Sequence, residues 1–582
     1  MEIVVEPDAN PEAFSISIAS VELLTGDRLE FPKSGVTAIV GPNNCGKSTL
    51  LRQITSHIAR GQKVAQQENT FLVRRVTLES SGTLDDGLAW LRQHVVEVER
   101  GGVPLLFGPG AEGVRLDAAM FRLKKPEEGL QELNNLLVFY GDAWQRLQGA
   151  TPIEMREKFS DPPASPLHVL QDDHELFQEL NRISMEVFRQ PLTLDRLSKR
   201  VNLRVGDPGV PTPKIDRVTD EYLSSLASLP ELMQQGDGMR SLLGLLVPLV
   251  TSTYPIVFID EPEAFLHPPQ ATALGRILGE QAKGRGIQII LATHDRNLIS
   301  GLLESEADVS IVRLNRTVGD KASAHQLNGR DLREIWSDPV LRYSNILEGL
   351  FHRLVVLAEA DGDCRFYSAA LEEAASQLAL PFPPGDVLFV PSGGKAGMPK
   401  LAKTLRAVNV PVAASPDMDL LNDKSAIKAL VQSLGGAWPD YERDYVLATE
   451  PFRKPRDKVS VDQILSTLKA VFSERGDEPF TAEIREDFMA QLRSKESPWS
   501  EVKQYGELAF KGQAGPALQR LLSQLEALGI VLARVGELER FAPNLGVAKG
   551  AAWLPAAIKA GAHKNSAARN HVLALAEVGR SA

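Results

Sequence analysis

Nine residues, Gly41-Pro42-Asn43-Asn44-Cys45-Gly46-Lys47-Ser48-Thr49, constrain this chain more than any other stretch. They fit the phosphate-loop pattern G-x-x-x-x-G-K-S/T. The apolar run Gly35-Val36-Thr37-Ala38-Ile39-Val40 leads straight into them, and Ser48-Thr49-Leu50-Leu51-Arg52-Gln53-Ile54 has the character of a helix start. Strand, glycine-rich loop and helix in that order let backbone N–H groups turn toward an anion, and the helix N-terminus adds a favourable dipole. Gly41, Asn44, Gly46, Lys47, Ser48 and Thr49 are therefore expected to hold ATP. Lys47 should reach the β- and γ-phosphates, and Ser48 should ligate magnesium.

Such a loop needs acidic partners on neighbouring strands. Tyr254-Pro255-Ile256-Val257-Phe258-Ile259 reads as a buried strand and ends in Asp260 and Glu261. Asp260 is placed to hold the Mg²⁺ shell, and Glu261 to orient or deprotonate the attacking water. Gln288-Ile289-Ile290-Leu291-Ala292-Thr293 is another strand, followed by His294, which is expected to sense the γ-phosphate by hydrogen bonding.

The chain has 582 residues, and single cores rarely grow past about 250–300 residues, so several domains are expected. Apolar content of 43% and charged content of 24% are those of an ordinary globular protein. No run of roughly eighteen apolar residues occurs, so no membrane span is expected. The start, Met1-Glu2-Ile3-Val4-Val5-Glu6, lacks the basic region and apolar core of a secretory signal. Two cysteines, Cys45 and Cys364, suit a reducing compartment, and a cytoplasmic location is expected. The net charge of −11 does not favour general nucleic-acid binding, so any such contact must use local basic patches or metal ions.

Residues from about 85 to 230 are rich in Leu, Glu, Gln and Arg, with apolar spacings of three and four such as Leu130-Leu133-Leu136-Leu137. This stretch reads as a helical insertion broken by Pro-rich segments. The wide gap it makes between Lys47 and Asp260 resembles the ATPase heads of the ABC class, as in SMC and RecF proteins. The likeness extends through Phe258-Ile259-Asp260-Glu261-Pro262-Glu263, Leu266-His267-Pro268 and Thr293-His294-Asp295. Gln235-Gly236-Asp237-Gly238-Met239-Arg240-Ser241 looks like a divergent signature loop of that class. The resemblance implies that Gly236 and Gly238 cover the γ-phosphate bound to a partner subunit, in a homodimer or higher homo-oligomer.

Residues 301–349 read as a connector with a hairpin and short helices, and a new α/β alternation starts near 354. Leu354–Ala358, Val387–Val390 and Val412–Ser415 are its strands. Glu359 ends the first, Asp363 follows at a helix start, and Asp417 and Asp419 follow the third. In an open parallel sheet, residues past the carboxyl ends of strands converge on one crevice. Carboxylates gathered there repel one another unless a hard cation, Mg²⁺ or Mn²⁺, lies among them. Two such ions activate water and stabilise the leaving oxygen of a phosphodiester.

This distal region resembles a Toprim domain through Glu359, the Glu359-x-x-x-Asp363 spacing, Asp417-Met418-Asp419 and Ser392-Gly393-Gly394-Lys395. An ABC-type head followed by Toprim resembles the OLD (overcoming lysogenisation defect) family of endonucleases. That likeness implies a further acidic ligand, for which Glu539 in Gly536-Glu537-Leu538-Glu539 is the candidate, and an assisting lysine, Lys549 or Lys564. Lys400, Lys403 and Arg406 share one helix face, and Arg453-Lys454-Pro455-Arg456 forms a cluster; either suits a phosphate backbone. Tyr367 and Tyr445 are the tyrosines a strand-transferase alternative would need.

The expected fold is thus α/β: an ABC-type P-loop ATPase domain (1–300) with a helical insertion, a connector (301–349), and a Toprim domain with a parallel sheet and C-terminal extension (350–582). The resemblance implies an ATP- and Mg²⁺- or Mn²⁺-using nuclease acting on DNA or RNA, beside a partner protein in phage defence or DNA processing. The alternative is an ATPase scaffold that recruits a partner and does not cleave.

Overall fold

All six residues of Gly35–Val40 (β1) are buried, which places this strand inside a sheet rather than at its edge. Its sheet-mates are β2 (Val138–Gly141), β3 (Ile256–Asp260), β4 (Gln288–Ala292), β5 (Val309–Arg316) and β6 (Ala322–Leu327). The order is β6-β5-β1-β4-β3-β2, parallel throughout except for the antiparallel β5–β6 hairpin. This computed structural model describes residues 10–61, 72–158, 160–214, 217–316, 322–327, 333, 345–453, 460–473, 479, 481, 484–485, 498–547 and 549–581. The chain divides into two compact units, Met1–Tyr343 and Ser344–Ala582.

In the first unit, helix α1 (Lys47–Arg60) follows β1 and buries Leu50, Leu51, Ile54 and Ile58 against the sheet. Its apolar positions recur at one helical face, and Gly61 with φ +77° ends it. A second, antiparallel sheet of Arg28–Glu30, Ser15–Leu23 and Val73–Ser81 lies beside the first. The two are stitched by buried Gln288. Its carbonyl accepts from Ile18 N–H at 2.9 Å, and its amide donates to the carbonyls of Ile18 (2.9 Å) and Pro32 (2.7 Å). Three satisfied bonds make burial of that amide affordable.

The stretch 85–230 differs from the helical insertion expected. Helices such as Leu84–His94, Leu116–Lys124 and His174–Phe188 alternate with strands. Val96–Arg100, Val103–Phe107 and Val114–Arg115 form one antiparallel sheet, and Ile153–Glu154, Leu192–Asp195 and Arg200–Val205 another. The physical reason for the first is the pair Gly101-Gly102, both at positive φ, which closes a two-residue hairpin that no helix tolerates. Two helices of this unit matter below: α2 (Ala143–Gln148), inside that stretch and directly after β2, and α3 (Asp237–Thr251), beyond it and before β3. Helices α4 (Pro268–Arg285) and α5 (Arg296–Glu304) follow β3 and β4.

The connector expected at 301–349 does contain its hairpin, which joins the sheet of the first unit. The hairpin is β5–β6, and β5 pairs with β1 itself, burying Ile311, Val312 and Leu314 in the sheet. Much of 328–344 lies outside the described residues.

In the second unit, β7 (Leu354–Ala358), β8 (Val387–Pro391) and β9 (Val412–Ser415) form a parallel sheet in the order β8-β7-β9. Residues 530–533 run beside β9 through parallel bridges Ala414–Ile530 and Asp417–Ala533. Helices α6 (Asp361–Gln377), α7 (Met398–Ala407) and α8 (Ser566–Ser581) belong to this unit. Its core includes Phe366, Tyr367, Phe541 and Trp553 packed at ring separations of 5.3–6.1 Å.

Cys45 and Cys364 are both free and buried, and burial pushes both thiols up, Cys364 to about 12. Among the described residues no helix is long and apolar enough to cross a membrane.

Candidate functional site

The phosphate loop takes backbone conformations that explain its glycines. Gly41 has φ +147°, and a Cβ there would sit 2.2 Å from the Leu314 carbonyl oxygen; Gly46 has φ +106°. Asn44, at φ +61°, is a residue type that tolerates the left-handed region. Lys47 Nζ donates to the carbonyls of Gly41 (2.9 Å) and Pro42 (3.1 Å), so the ammonium lies over the loop it serves. Ser48, half-buried beside Thr49 at the start of α1, donates from Oγ to Asp260 Oδ1 at 2.9 Å. The carboxyl of Asp260 is raised, by burial first and by neighbouring Glu261, against the pull of that hydrogen bond. A serine hydroxyl touching a carboxylate that resists its own charge is a donor set that fits Mg²⁺. Ser48 and Asp260 are the residues that would hold it.

Glu261 stands next to Asp260 with φ +49°, a strained position for a residue with a Cβ. Its side chain is half exposed. His294 Nδ1 lies 3.7 Å from Glu261 Oε1 and 3.4 Å from Glu263 Oε1. Glu263 is buried and accepts from Thr293 Oγ1 (2.7 Å) and from His294 N–H (3.0 Å). Sequence reading quoted Glu263 as part of a pattern and assigned it no role. It fixes the turn after β4 against the turn after β3.

Gly236 and Gly238 open helix α3. Gly236 is exposed with open space around it, whereas a Cβ on Gly238 would come within 2.7 Å of the Phe265 carbonyl oxygen. Sequence reading missed Arg146 altogether. It is fully buried on α2, and its guanidinium donates to Ser241 Oγ (3.2 Å), Gly141 O (3.1 Å), Asp260 O (2.5 Å) and Glu261 O (2.9 Å).

In the second unit, Glu359, Asp417 and Asp419 each offer an oxygen, and these atoms lie within 4.8 Å of one another. Asp417 N–H donates to Glu359 Oε1 at 3.1 Å. The loop after β8 wraps the end of β7: Gly394 N–H donates to Glu359 O (2.9 Å), and Ser392 Oγ to Ala358 O (2.8 Å). Burial, then the neighbouring Glu359, Asp363 and Asp419, push Asp417 up to about 8; burial also raises Glu359. Asp419 is the exception. Burial opposes its charge, but Lys395 and Lys503 (Nζ–Oδ2 3.0 Å) pair with it and bring it below the usual carboxylate range.

Two expected ligands stand outside that trio. Asp363 Oδ2 accepts from Ala360 N–H at 3.0 Å and so caps its own helix α6. Burial first, then Glu359 and Glu539, push Asp363 up to about 6, so it lies within reach of the same field. Glu539 pairs with Lys549 at 3.2 Å, which also pairs with Glu537 at 3.0 Å. Lys564 instead pairs with Glu373. The carboxyls that resist ionisation, together with oxygen donors this close, fit a hard divalent cation, which Glu359, Asp417 and Asp419 would hold.

Lys400, Lys403 and Arg406 occupy an exposed face of α7, whereas Lys454 and Arg456 lie outside the described residues. Tyr367 is completely buried, and Tyr445 donates its buried hydroxyl to Leu421 O at 2.9 Å, so neither offers an accessible nucleophile. Behind the acidic trio, Ser415 Oγ and His571 Nε2 are 2.7 Å apart in a buried contact.

Residues 124–300 match a family described as "AAA domain, putative AbiEii toxin, Type IV TA system". None of the curated proteins matches the chain. Among solved structures it is similar to an SmcHead bound to the C-winged helix domain of ScpA, at 14% identity and TM-score 0.33, over 55% of this chain and 99% of that one. It is similar to the SMC head domain from Thermotoga maritima at 14% identity and TM-score 0.28, over 53% and 99%. It is also similar to cbiO1 from Clostridium perfringens, part of the ABC transporter complex cbiONQ, at 13% identity and TM-score 0.28, over 57% and 94%. With its phosphate loop and its Ser48–Asp260 pair, the first unit is an α/β fold with an ATPase-like P-loop, and residues 124–300 of it match the AAA-domain model.

Proposed function

We propose that the chain is an ATP-hydrolysing, metal-dependent nuclease of the OLD type, in which a Toprim-like second unit cleaves DNA. The observation that carries the nuclease half is the Glu359, Asp417 and Asp419 set with its oxygens within 4.8 Å. Bound there, Mg²⁺ or Mn²⁺ would supply a polarised water and charge neutralisation at a phosphodiester. The chain's own residues do the rest. Glu359 and Asp417 are mutually oriented by the Asp417 N–H bond. Lys395, Lys503 and Lys549 supply positive charge at the rim, suited to a phosphate backbone in a chain of net charge −11.

At the first unit Lys47 and the loop amides bind the phosphates, Ser48 and Asp260 hold the magnesium, and Glu261 orients the attacking water with His294 beside it. Gly236 and Gly238 face a second copy of the chain in this reading, giving a homodimer, and the biological setting is bacterial anti-phage defence or DNA processing.

The test is plasmid nicking with Mg²⁺ or Mn²⁺, wild type against Glu359→Ala. Loss of nicking in the variant supports the reading, and equal activity removes it. A second reading, an ATPase scaffold that recruits a partner without cleaving, is favoured by the two lysines already engaging Asp419. Absence of nicking by wild type, with ATP hydrolysis intact, selects it.

A further inference from the structure

Glu261 sits in the left-handed backbone region at φ +49°. A residue with a Cβ stays there only when its surroundings over-determine it. The surroundings that do so are specific. Arg146 Nη2 donates to the Glu261 carbonyl at 2.9 Å, and Nη1 donates to the carbonyls of Asp260 at 2.5 Å and Gly141 at 3.1 Å. One guanidinium thus grips the ends of β2 and β3. Its fourth bond goes elsewhere: Nε donates to Ser241 Oγ at 3.2 Å, one turn into helix α3, whose first residues are the Gly236–Gly238 turn, exposed at Gly236 and Asp237.

The packing around this bond leaves little freedom. A Cβ on Gly244 of α3 would stand 1.8 Å from the Arg146 carbonyl oxygen, and one on Gly149 would stand 2.0 Å from the Gly244 carbonyl oxygen. Backbones of α2 and α3 therefore touch directly, with no side chain between them. Burial costs a guanidinium much of its hydration, and Arg146 is held below its ordinary range by it, with Glu263, Asp260, Asp142 and Glu261 supplying compensating negative charge. A buried charge kept on four directional bonds at the end of β3 is poorly explained as filler, since an apolar side chain of similar volume packs a core at lower cost.

We propose that Arg146 is a positioning residue that couples helix α3 to Glu261, so that what engages the Gly236–Gly238 turn is felt as a displacement of the water-orienting carboxylate. The inference rests on the reading of the first unit as an ATPase with Glu261 beside the attacking water. Arg146 touches neither nucleotide nor water in this scheme; it sets the backbone from which Glu261 projects. A shift of α3 along or about its axis pulls on the Ser241 bond and, through the rigid planar fork, on the Asp260 and Glu261 carbonyls.

The experiment is steady-state ATP hydrolysis by the full chain, with ADP affinity measured in parallel. Ser241→Ala removes only the α3 end of the link, and Arg146→Lys removes the fork. Expected are falls in kcat of about tenfold for Ser241→Ala and about a hundredfold for Arg146→Lys, the size of effect a misplaced catalytic group produces, with KM and ADP affinity within roughly twofold of wild type. In a Glu261→Gln background, Ser241→Ala should lower kcat no further, because the pathway it acts through is already cut. Unchanged kcat in Ser241→Ala overturns the proposal. So does an equal further loss in the Glu261→Gln background, which marks a merely structural role. If Arg146→Lys does not fold, the Ser241→Ala pair still decides. If wild type itself fails to hydrolyse ATP, the underlying ATPase reading falls first, and the two failures are told apart by that control.

Discussion

Ser48 Oγ donates to Asp260 Oδ1 across 212 residues of sequence, joining the start of α1 to the end of β3. The bond exists because β1 and β3 are both buried parallel strands separated only by β4, so their carboxyl ends open on the same edge of the sheet.

Lys47→Ala should abolish nucleotide binding, while Glu261→Gln should bind ATP and turn it over at least about a hundredfold more slowly. Equilibrium binding of a fluorescent nucleotide and a phosphate-release assay check the two halves. Normal hydrolysis by both variants would place the site elsewhere.

Metal binding at the second unit should strengthen as pH rises. The cation needs ionised carboxylates, and Asp417 and Asp363 hold their protons up to about 8 and about 6. Affinity for Mn²⁺ should therefore climb between pH 6 and 8 and level off above, with proton release on binding. Calorimetry in two buffers of different ionisation enthalpy measures both. Asp417→Asn should flatten the upper part of the profile.

Lys395→Ala and Lys503→Ala should each raise Mn²⁺ affinity, by several-fold, because each frees Asp419 from a competing cation. The same variants should lower nicking, since the lysines then no longer meet the phosphate. Unchanged metal affinity in both would show that the pairs do not compete with the ion.

His571 is buried, and burial, with Arg534 adding to it, pushes its imidazole down to about 3. A group depressed below its unfolded value of about 6.5 contributes stability that is complete above that pH. The contribution is lost as pH falls from about 6.5 toward 3. Asp417, raised in the folded state, titrates in the opposite sense and gains stability as pH falls. The readout is thus the difference between wild type and His571→Gln, which should narrow by a few kcal/mol on acidification. Urea unfolding at pH 7 and pH 5 checks it.

Gly244→Ala should destabilise the first unit by about 1–3 kcal/mol, through the clash with the Arg146 carbonyl oxygen. Gly236→Ala, in open space, should leave the melting midpoint within a degree or so of wild type.

The phosphate loop, Asp260, Glu261, Glu359 and Asp417 were legible because each ends a run of apolar residues, and a buried strand announces its own end by a change of polarity. The three parallel strands of the second unit were legible for the same reason. Arg146 was not. It lies in a six-residue helix far upstream, and three of its four partners are backbone carbonyls, which no side-chain pattern encodes. Lys503 was hidden likewise, since its ion pair with Asp419 depends on where Trp499–Tyr505 packs. The Gly101-Gly102 hairpin had a signal in the sequence that the leucine spacing around it outweighed.

Each unit carries one sulfhydryl, Cys45 within the phosphate loop and Cys364 on α6, and both are shielded from solvent and reluctant to ionise. A maleimide or iodoacetamide added to the native molecule has nothing to react with until one half opens. Labelling at position 45 or 364, separated by peptide mapping, would report which half melts first and whether nucleotide protects one and manganese the other.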